Sequence, residues 1–529
     1  MAGPGEFELQ LGHLCNDRCV FCESGRLTHA GRAPLLAVEM LSARVREAYA
    51  AGHRRITFLG GEPTLQPSFL EIVRLAVSLG FESIVIFSNG SKAGSTDLVD
   101  RVLATGGRFE WRFSVQGATR EAHVRTTGRK GGFDQVLRAL SIVRERGQRA
   151  TVNLCLVRQN CESVDRFAEL LVPLGVSQVH VDMLNPDDMG GIVGADEVTA
   201  MMPRYSEVAA TLGRMIDGFP EDFDVSIGAL PFCVAPSLAP WIHHDHHPMW
   251  TVTARESGAA TLKPARYLCR ANIKLKPERC KSCVFDERCT GVFGAYADRF
   301  GTEELQPVTQ EQLAALPTYR RLVALHLRPW LRSALDLAPW VSEILVEELS
   351  LREVSLTMRA RDGGELRLLF RDLRSGAMAA SDWCAVHVEN RTVDVPAALE
   401  ALRELWSRLE RAGMRGVVPP GEDTFSSIHP VVAGRLQRLR DAAPFGELVW
   451  AETRVLDGGH RVEVVLRGPA GETATVWLAV DRRKSSGGYD AGPEAPSRAV
   501  IEGLRAVLDV VGGRPDPQPS SNGRALEQG

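Results

Sequence analysis

The sequence predicts an α/β protein whose first part is a parallel β/α barrel left partly open. A cysteine-rich segment and then an α+β region follow it. Three observations predict this. Residues 7–185 alternate strand-like and helix-like runs through six repeats, and repeated β-α units give a parallel sheet with right-handed crossovers. Several of those strands alternate polar with apolar residues, whereas a parallel strand covered on both faces reads as continuously apolar. Beyond about residue 330 the periodicity changes to hairpins followed by long amphipathic helices.

The strand-like runs are 6–13, 54–61, 82–90, 109–117, 150–157 and 178–184, with helical stretches such as 38–53 and 133–147 between them. Alternate residues of a strand face opposite ways. Glu8 therefore shares a face with Gln10, Arg112 with Ser114 and Gln116, Asn153 with Cys155, and His180 with Asp182. The apolar set packs on helices and the polar set lines a hollow; the competing reading is a sheet with one solvent-washed face. Ligands of such sheets bind beyond the C-terminal ends of the strands. Cys15, Cys19 and Cys22 directly follow the first strand.

The formal net charge of −4 over 529 residues gives no electrostatic reason to expect nucleic acid or an anionic membrane as partner. The basic stretch Arg120–Lys130 is short and interrupted, which fits a solvated loop. No window approaches the roughly 18 continuous apolar residues of a membrane span, and the first residues lack the pattern of a secretory signal. A cytoplasmic protein is expected, with its eleven cysteines as reduced thiols or metal ligands. Six of these fall in two tight groups.

The first group, C-x3-C-x2-C, suits neither a closed four-ligand zinc site nor a disulfide framework with an even count. Three thiolates on an iron–sulfide cluster would leave one iron open to N and O donors of a small molecule. "FLGGEPT" (58–64) ends the second strand. Its glycines allow a ligand close to the backbone, and Glu62 offers a carboxylate to an ammonium group. Zinc, or a buried structural role, is the bland alternative for the triplet.

In this order on a β-α barrel, these motifs resemble the radical S-adenosylmethionine (SAM) superfamily. Its C-x3-C-x-aromatic-C signature is matched by Cys15, Cys19, Phe21 and Cys22, and its GGEP motif by Gly60, Gly61, Glu62 and Pro63. "FSNG" (87–90), with Ser88 and Asn89, stands where members often touch the ribose and methionine portions. Residues 113–140 resemble the fourth-strand segment, with Ser114 and Arg125 as candidate ribose or carboxylate contacts. Gln116 and Asn153 join them as candidate SAM contacts on the polar strand faces. The resemblance covers about residues 6–185. It implies a [4Fe-4S] cluster whose open iron chelates SAM, and reductive cleavage to a 5′-deoxyadenosyl radical that abstracts hydrogen from a substrate.

The second group, Cys280, Cys283 and Cys289, forms C-x2-C-x5-C, with Cys233 and Cys269 upstream. It resembles the auxiliary-cluster segment of radical SAM proteins with SPASM or twitch extensions. A full SPASM pattern needs a further cysteine soon after Cys289, yet position 293 is Phe and the next cysteine is Cys384. One auxiliary [4Fe-4S] cluster with Cys233 or Cys269 as fourth ligand is the economical expectation, and a structural zinc is the alternative. "WIHHDHHPMW" (241–250) reads as a surface loop, Cys155 and Cys161 as small core residues, and Cys384 as buried.

The domain plan is a radical SAM barrel over 1–220, an auxiliary-cluster segment over 221–325 and a C-terminal α+β domain over 326–513. A polar, Pro- and Ser-rich tail over 514–529 is expected to be disordered. In the C-terminal domain, Asp-Gly-Gly turns at 362–364 and 457–459 suggest a duplicated β-β-β-α unit. The expected function is a radical SAM oxidoreductase or maturase acting on a peptide or small molecule, served by a flavodoxin or ferredoxin. The alternatives are a non-catalytic iron–sulfur or zinc binding protein on the same barrel, or a radical SAM methyltransferase.

Overall fold

The computed structural model describes residues 6–186, 194–220, 223–244, 250–254, 260–263, 274–325, 327, 338–372, 384–411, 421–443, 445–481, 484–491, 496–511 and 524–527. Two compact units divide the chain, Met1–Leu316 and Pro317–Gly529. Among the described residues no helix is long and apolar enough to cross a membrane.

The first unit is built on one open sheet. Its strands are β1 (Phe7–Gln10), β2 (Arg55–Leu59), β3 (Ser83–Ser88), β4 (Phe109–Ser114), β5 (Arg149–Leu156), β6 (Gln178–Met183), β7 (Asp224–Gly228), β8 (Ile242–His243), β9 (Trp250–Ala254) and β10 (Ala260–Lys263). Their order is β10-β9-β1-β2-β3-β4-β5-β6-β7-β8, and β11 (Lys274–Leu275) pairs separately, antiparallel, with β12 (Val292–Phe293). Strands β1 to β8 run parallel, β9 is parallel to β1, and β10 returns antiparallel. The crossovers carry α1 (Glu23–His29), α2 (Val38–Ala50), α3 (Phe69–Leu79), α4 (Thr96–Leu103), α5 (Arg120–Thr127) and α6 (Gly132–Glu145).

All six strands read from periodicity are present. The sheet also continues past residue 220, where a separate auxiliary segment was expected to begin, because β7 and β8 extend it. Both are short and flank a proline-rich stretch (231–240), so no period had room to build up.

The two faces divide as the alternation requires. Trp111, Phe113, Val152, Leu154, Val179, Val181 and Ile227 are fully buried on the helix side. Burying each such side chain contributes about 1.5–3 kcal/mol. The intervening residues Arg112, Ser114, Asn153, His180 and Asp182 are half-buried on the inner face, aligned in register from strand to strand. At the N-terminal end of that face, Glu110 meets Arg55 at 3.3 Å and Arg112 and Arg149 at 3.8 Å. That charge network occupies the lower lumen.

The second unit contains two antiparallel meanders. The first runs β13 (Val341–Ser350), β14 (Glu353–Ala360), β15 (Glu365–Asp372) and β16 (Cys384–Arg391), then a helix over Val395–Arg411. The second runs β17 (Val449–Leu456), β18 (Arg461–Arg467), β19 (Thr473–Asp481) and β20 (Lys484–Asp490), then a helix over Arg498–Val511. Each repeat therefore holds four strands before its helix, not three. The Asp-Gly-Gly turns are not equivalent: 362–364 joins β14 to β15, while 457–459 joins β17 to β18. Within the expected disordered tail, β21 (Arg524–Glu527) pairs with β20; an open sheet edge offers unpaired backbone groups to such a segment. Cys384 lies in β16, and its side chain falls outside the described residues.

Candidate metal and cofactor site

The cysteine loop follows β1 and ends at Cys22, the N-cap of α1. Three neighbours hold it. Gly61 N–H donates to the Gly12 carbonyl at 2.8 Å and Glu62 N–H to that of Leu14 at 2.7 Å. Arg18 and Val20 donate their N–H groups to the Thr127 and Thr126 carbonyls of α5 at 2.8 and 2.9 Å. Asn16 Oδ1 accepts from Asn89 Nδ2 at 2.8 Å, beyond the end of β3. Inside the loop, Cys15 N–H donates to Thr28 Oγ1 at 3.0 Å, and buried Asp17 pairs with Arg129. Arg129 lies next to the end of the basic stretch read as a solvated loop; most of that stretch is α5, and this guanidinium is drawn inward by the buried carboxylate.

Burial pushes the Cys15 and Cys19 thiols well up, and the mutual influence of Cys15, Cys19 and Cys22 adds to the rise. The three sulfurs thus share one electrostatic neighbourhood. Cys155 of β5 belongs to it as well, since its charge acts on Cys19. A buried thiol that keeps its proton is a poor nucleophile, and it becomes a thiolate when a metal displaces that proton. Among the described residues no group of His, Cys, Asp or Glu is drawn together to hold a single metal ion.

Gly60 and Gly61 are required by the chain itself. A Cβ on Gly60 would lie 2.6 Å from the Gly12 carbonyl oxygen, and one on Gly61 2.3 Å from that of Leu14. The paired glycines make room for the chain entering the cysteine loop, so their close approach is to protein backbone.

Glu62 is 2 % exposed and caps the short turn that begins at buried Pro63. Its Oε1 accepts from Ser88 Oγ at 2.8 Å and from Thr64, and its Oε2 accepts from Asn89 N–H at 2.6 Å. Burial raises this carboxyl, and the Thr64, Asn89 and Ser88 donors oppose the rise. A carboxylate has about four acceptor positions, and these donors crowd Oε1 more than Oε2. An ammonium would find its acceptor at Oε2.

Ser114 and Asn153 pair in register, half-buried on the inner face. Gln116 is buried and spends its side-chain oxygen on Cys155 N–H at 3.0 Å. Arg125 is exposed, with Nε donating to the Gln159 carbonyl at 2.8 Å. The contacts the structure gives Gln116 and Arg125 therefore tie strands and loops together. Phe21 is half-buried beside Cys22.

The second thiol group assembles around Cys233, on a turn over Phe232–Val234. Burial pushes its thiol up to about 12, and Cys289, Cys283 and Cys280 add to the rise. Cys269, the other upstream candidate, lies outside the described residues. Val308 N–H points at Cys283 Sγ at 3.3 Å and Gly291 N–H at Cys289 Sγ at 3.4 Å. Phe232 stacks on Phe285 with centroids 4.5 Å apart, shielding this side.

The histidine run is not a plain surface loop. His243 forms part of β8, and His244 is buried, with Nδ1 2.7 Å from Thr290 Oγ1 and Nε2 2.8 Å from the Leu230 carbonyl. Residues 245–249 lie outside the described residues. Sequence reading also missed Asn16, Asp17 and Arg129. Asp17, lodged between two of the cysteines, was the available signal.

Residues 9–188 match the profile of the radical SAM superfamily. A PqqA peptide cyclase of Ruegeria pomeroyi is 29% identical over 173 residues, 32% of this chain and 45% of that one. A probable GTP 3′,8-cyclase of Saccharolobus solfataricus is 29% identical over 186 residues, 35% of this chain and 58% of its own. The chain thus spans about half the length of these curated relatives. Among solved structures, SuiB of Streptococcus suis bound to S-adenosylmethionine is 14% identical, with a TM-score of 0.42 over 58% of this chain and 77% of that one. The family match thus covers residues 9–188, the stretch that carries β1 to β6 and the cysteine loop.

Proposed function

We propose that the chain is a radical SAM enzyme that modifies a peptide or small-molecule substrate by hydrogen abstraction in the reducing cytoplasm, with a flavodoxin or ferredoxin as electron donor. The observation that carries this is the loop of Cys15, Cys19 and Cys22, three half-buried thiols in one electrostatic neighbourhood at the C-terminal end of β1, beside buried Glu62. The family's [4Fe-4S] cluster and SAM, when bound, supply the 5′-deoxyadenosyl radical. The three cysteines would hold the cluster, and Glu62 Oε2 would accept the SAM ammonium. Ser88 and Asn89 orient that carboxylate, and Ser114 and Asn153 offer polar contacts deeper in the lumen. Phe232 and Phe285 limit water at the second group, where Cys233, Cys280, Cys283 and Cys289 would hold an auxiliary cluster. A structural zinc at either group is the alternative reading.

The test is anaerobic reconstitution of the full chain, followed by dithionite reduction with SAM. Wild type should form 5′-deoxyadenosine. The Cys15→Ala/Cys19→Ala/Cys22→Ala variant should lose about four irons, one cubane, together with all SAM cleavage. Cleavage retained by that variant would remove the assignment, and zinc in place of iron would favour the binding-protein alternative.

A further inference from the structure

Rows of side chains cross the inner face of the sheet, one row for every second residue along the strands. In one row Phe87, Arg112, Thr151, Gln178 and Asp224 stand side by side on β3 to β7. The row above it, nearer the C-terminal strand ends, carries Ser114 and Asn153, and the row below carries Glu110 and Arg149.

Most charged groups at this depth are spent on one another. Gln178 Nε2 donates to Asp224 Oδ2 at 2.8 Å. Glu110 lies 3.3 Å from Arg55 and 3.8 Å from Arg149, and Arg55 is also 3.3 Å from Glu6. Arg112 is the exception. It comes within 3.8 Å of Glu110, longer than a hydrogen bond. Its guanidinium carbon lies over the Phe87 ring, 5.7 Å from the centroid. Contact with a ring face takes up none of the five N–H donors of a guanidinium, and a side-chain exposure of 25% opens these donors to the lumen. Thr151, its neighbour across the ladder, is 2% exposed, and its Oγ1 is buried with no hydrogen-bond partner among the described residues. Folded proteins pair nearly all such buried groups. An unspent guanidinium and an orphaned hydroxyl thus adjoin on two neighbouring strands.

We propose that Arg112 and Thr151 seat a carboxylate of the substrate, with Ser114 and Asn153 as the upper rim of that seat. The inference rests on the radical SAM reading and adds the chemistry of what is modified. A planar carboxylate accepts two parallel N–H bonds from a guanidinium, and its remaining lone pairs can take hydroxyl and amide donors from the next strand. An ammonium would meet like charge from Arg112, and Glu110 is already shared among three guanidiniums. The row's own carboxylate, Asp224, stands three strands from Arg112 and accepts from Gln178. Asp182 stands two rows higher, 3.1 Å from His180. The methionine carboxylate of SAM is the other source of this chemistry. Position favours the substrate: Glu62, assigned to the SAM ammonium, lies past the end of β2, whereas Arg112 is two residues inside β4.

The test uses the full-length, anaerobically reconstituted protein and three probes of similar size: butyrate, butyramide and n-butylammonium. Binding is read by saturation-transfer NMR titration. Butyrate should bind saturably and about tenfold tighter than butyramide, with n-butylammonium weaker still. Arg112→Gln should weaken butyrate about tenfold and leave butyramide unchanged. Thr151→Val keeps the side-chain shape, should weaken butyrate about fivefold, and provides the second readout if the first variant misfolds. Butyrate binding no tighter than butyramide, or untouched by both variants, would overturn the inference. Titration with saturating SAM separates the two sources. Butyrate affinity retained, with SAM affinity equal in wild type and Arg112→Gln, supports a substrate seat. Butyrate displaced by SAM, with SAM binding weakened by Arg112→Gln, would give the seat to the cofactor and overturn the inference. 5′-Deoxyadenosine formation by wild type is measured in parallel: if it proceeds while the carboxylate preference is missing, this site assignment alone fails, and if it is absent, the radical SAM reading fails.

Discussion

Replacing Gly61 with alanine separates two jobs that the paired glycines could do. The new methyl carbon would lie 2.3 Å from the Leu14 carbonyl oxygen and 2.6 Å from that of His13. Both are backbone atoms, and the Leu14 carbonyl is already fixed by Glu62 N–H at 2.7 Å. Restoring ordinary contact requires the two segments to part by about 1 Å, in an interior packed too densely to absorb it freely. Overpacking of this kind costs about 1–3 kcal/mol, several degrees of Tm in a unit this large. The displaced carbonyl belongs to the residue before Cys15, so the shift is delivered straight to the first thiol. After anaerobic reconstitution, Gly61→Ala should carry less iron at the cysteine triplet and melt lower even without SAM. Iron content and Tm equal to wild type, with only SAM affinity reduced, would refute the reasoning and return the glycines to a ligand-clearance role.

Two further outcomes are expected. Cys233→Ala should lose about four irons while the EPR signal of the triplet cluster persists; unchanged iron would give the fourth auxiliary position to Cys269 or to a non-cysteine ligand. Burial, helped by the charge of Arg129, pulls the His123 imidazole from 6.5 down to about 4, and its neutral Nδ1 accepts the Gln116 N–H at 3.2 Å. The unfolded chain therefore binds the extra proton first: stability present above about pH 6.5 is lost as pH falls toward 4, by about 3 kcal/mol in all. Urea midpoints at pH 7 and pH 5 should show about 2 kcal/mol of this loss for wild type beyond that of His123→Gln; equal losses would disprove it.

How far the sequence carried the fold depended on whether one face of an element differed chemically from the other. In β4 and β6 the inner residues are polar and the outer ones apolar, so a period of two survived in the text and gave both the strand and its lumen side. In β13 the period breaks, because the register shifts between Val341 and Glu343 and again between Glu348 and Ser350. That bulged strand went unread, and the repeat was counted one strand short. The Asp-Gly-Gly turns misled for a related reason: the tripeptide specifies a tight turn, not which hairpin of a meander uses it.

The site divides along the same line. The thiol spacing was legible because ligand chemistry is written locally, in residues three or four apart. What holds the thiols was not legible, since every support comes from elsewhere in the chain: the end of β2 through Gly61 and Glu62, the end of β3 through Asn89, and α5 through Thr126, Thr127 and, by its pairing with Asp17, Arg129. These supports are bonds between protein groups, so the shape of the cysteine loop is set without help from a ligand. A site built this way starts with its supporting shell in place, and loading it costs the thiol protons rather than a refolding of the loop. The GGEP residues belong to that shell as much as to any ligand. Gly60 and Gly61 let the loop pass, and Glu62 ties it to Ser88 and Asn89 before any ammonium arrives. A motif read as a binding site is here first a joint between three strand ends, and its binding role follows from what that joint holds still.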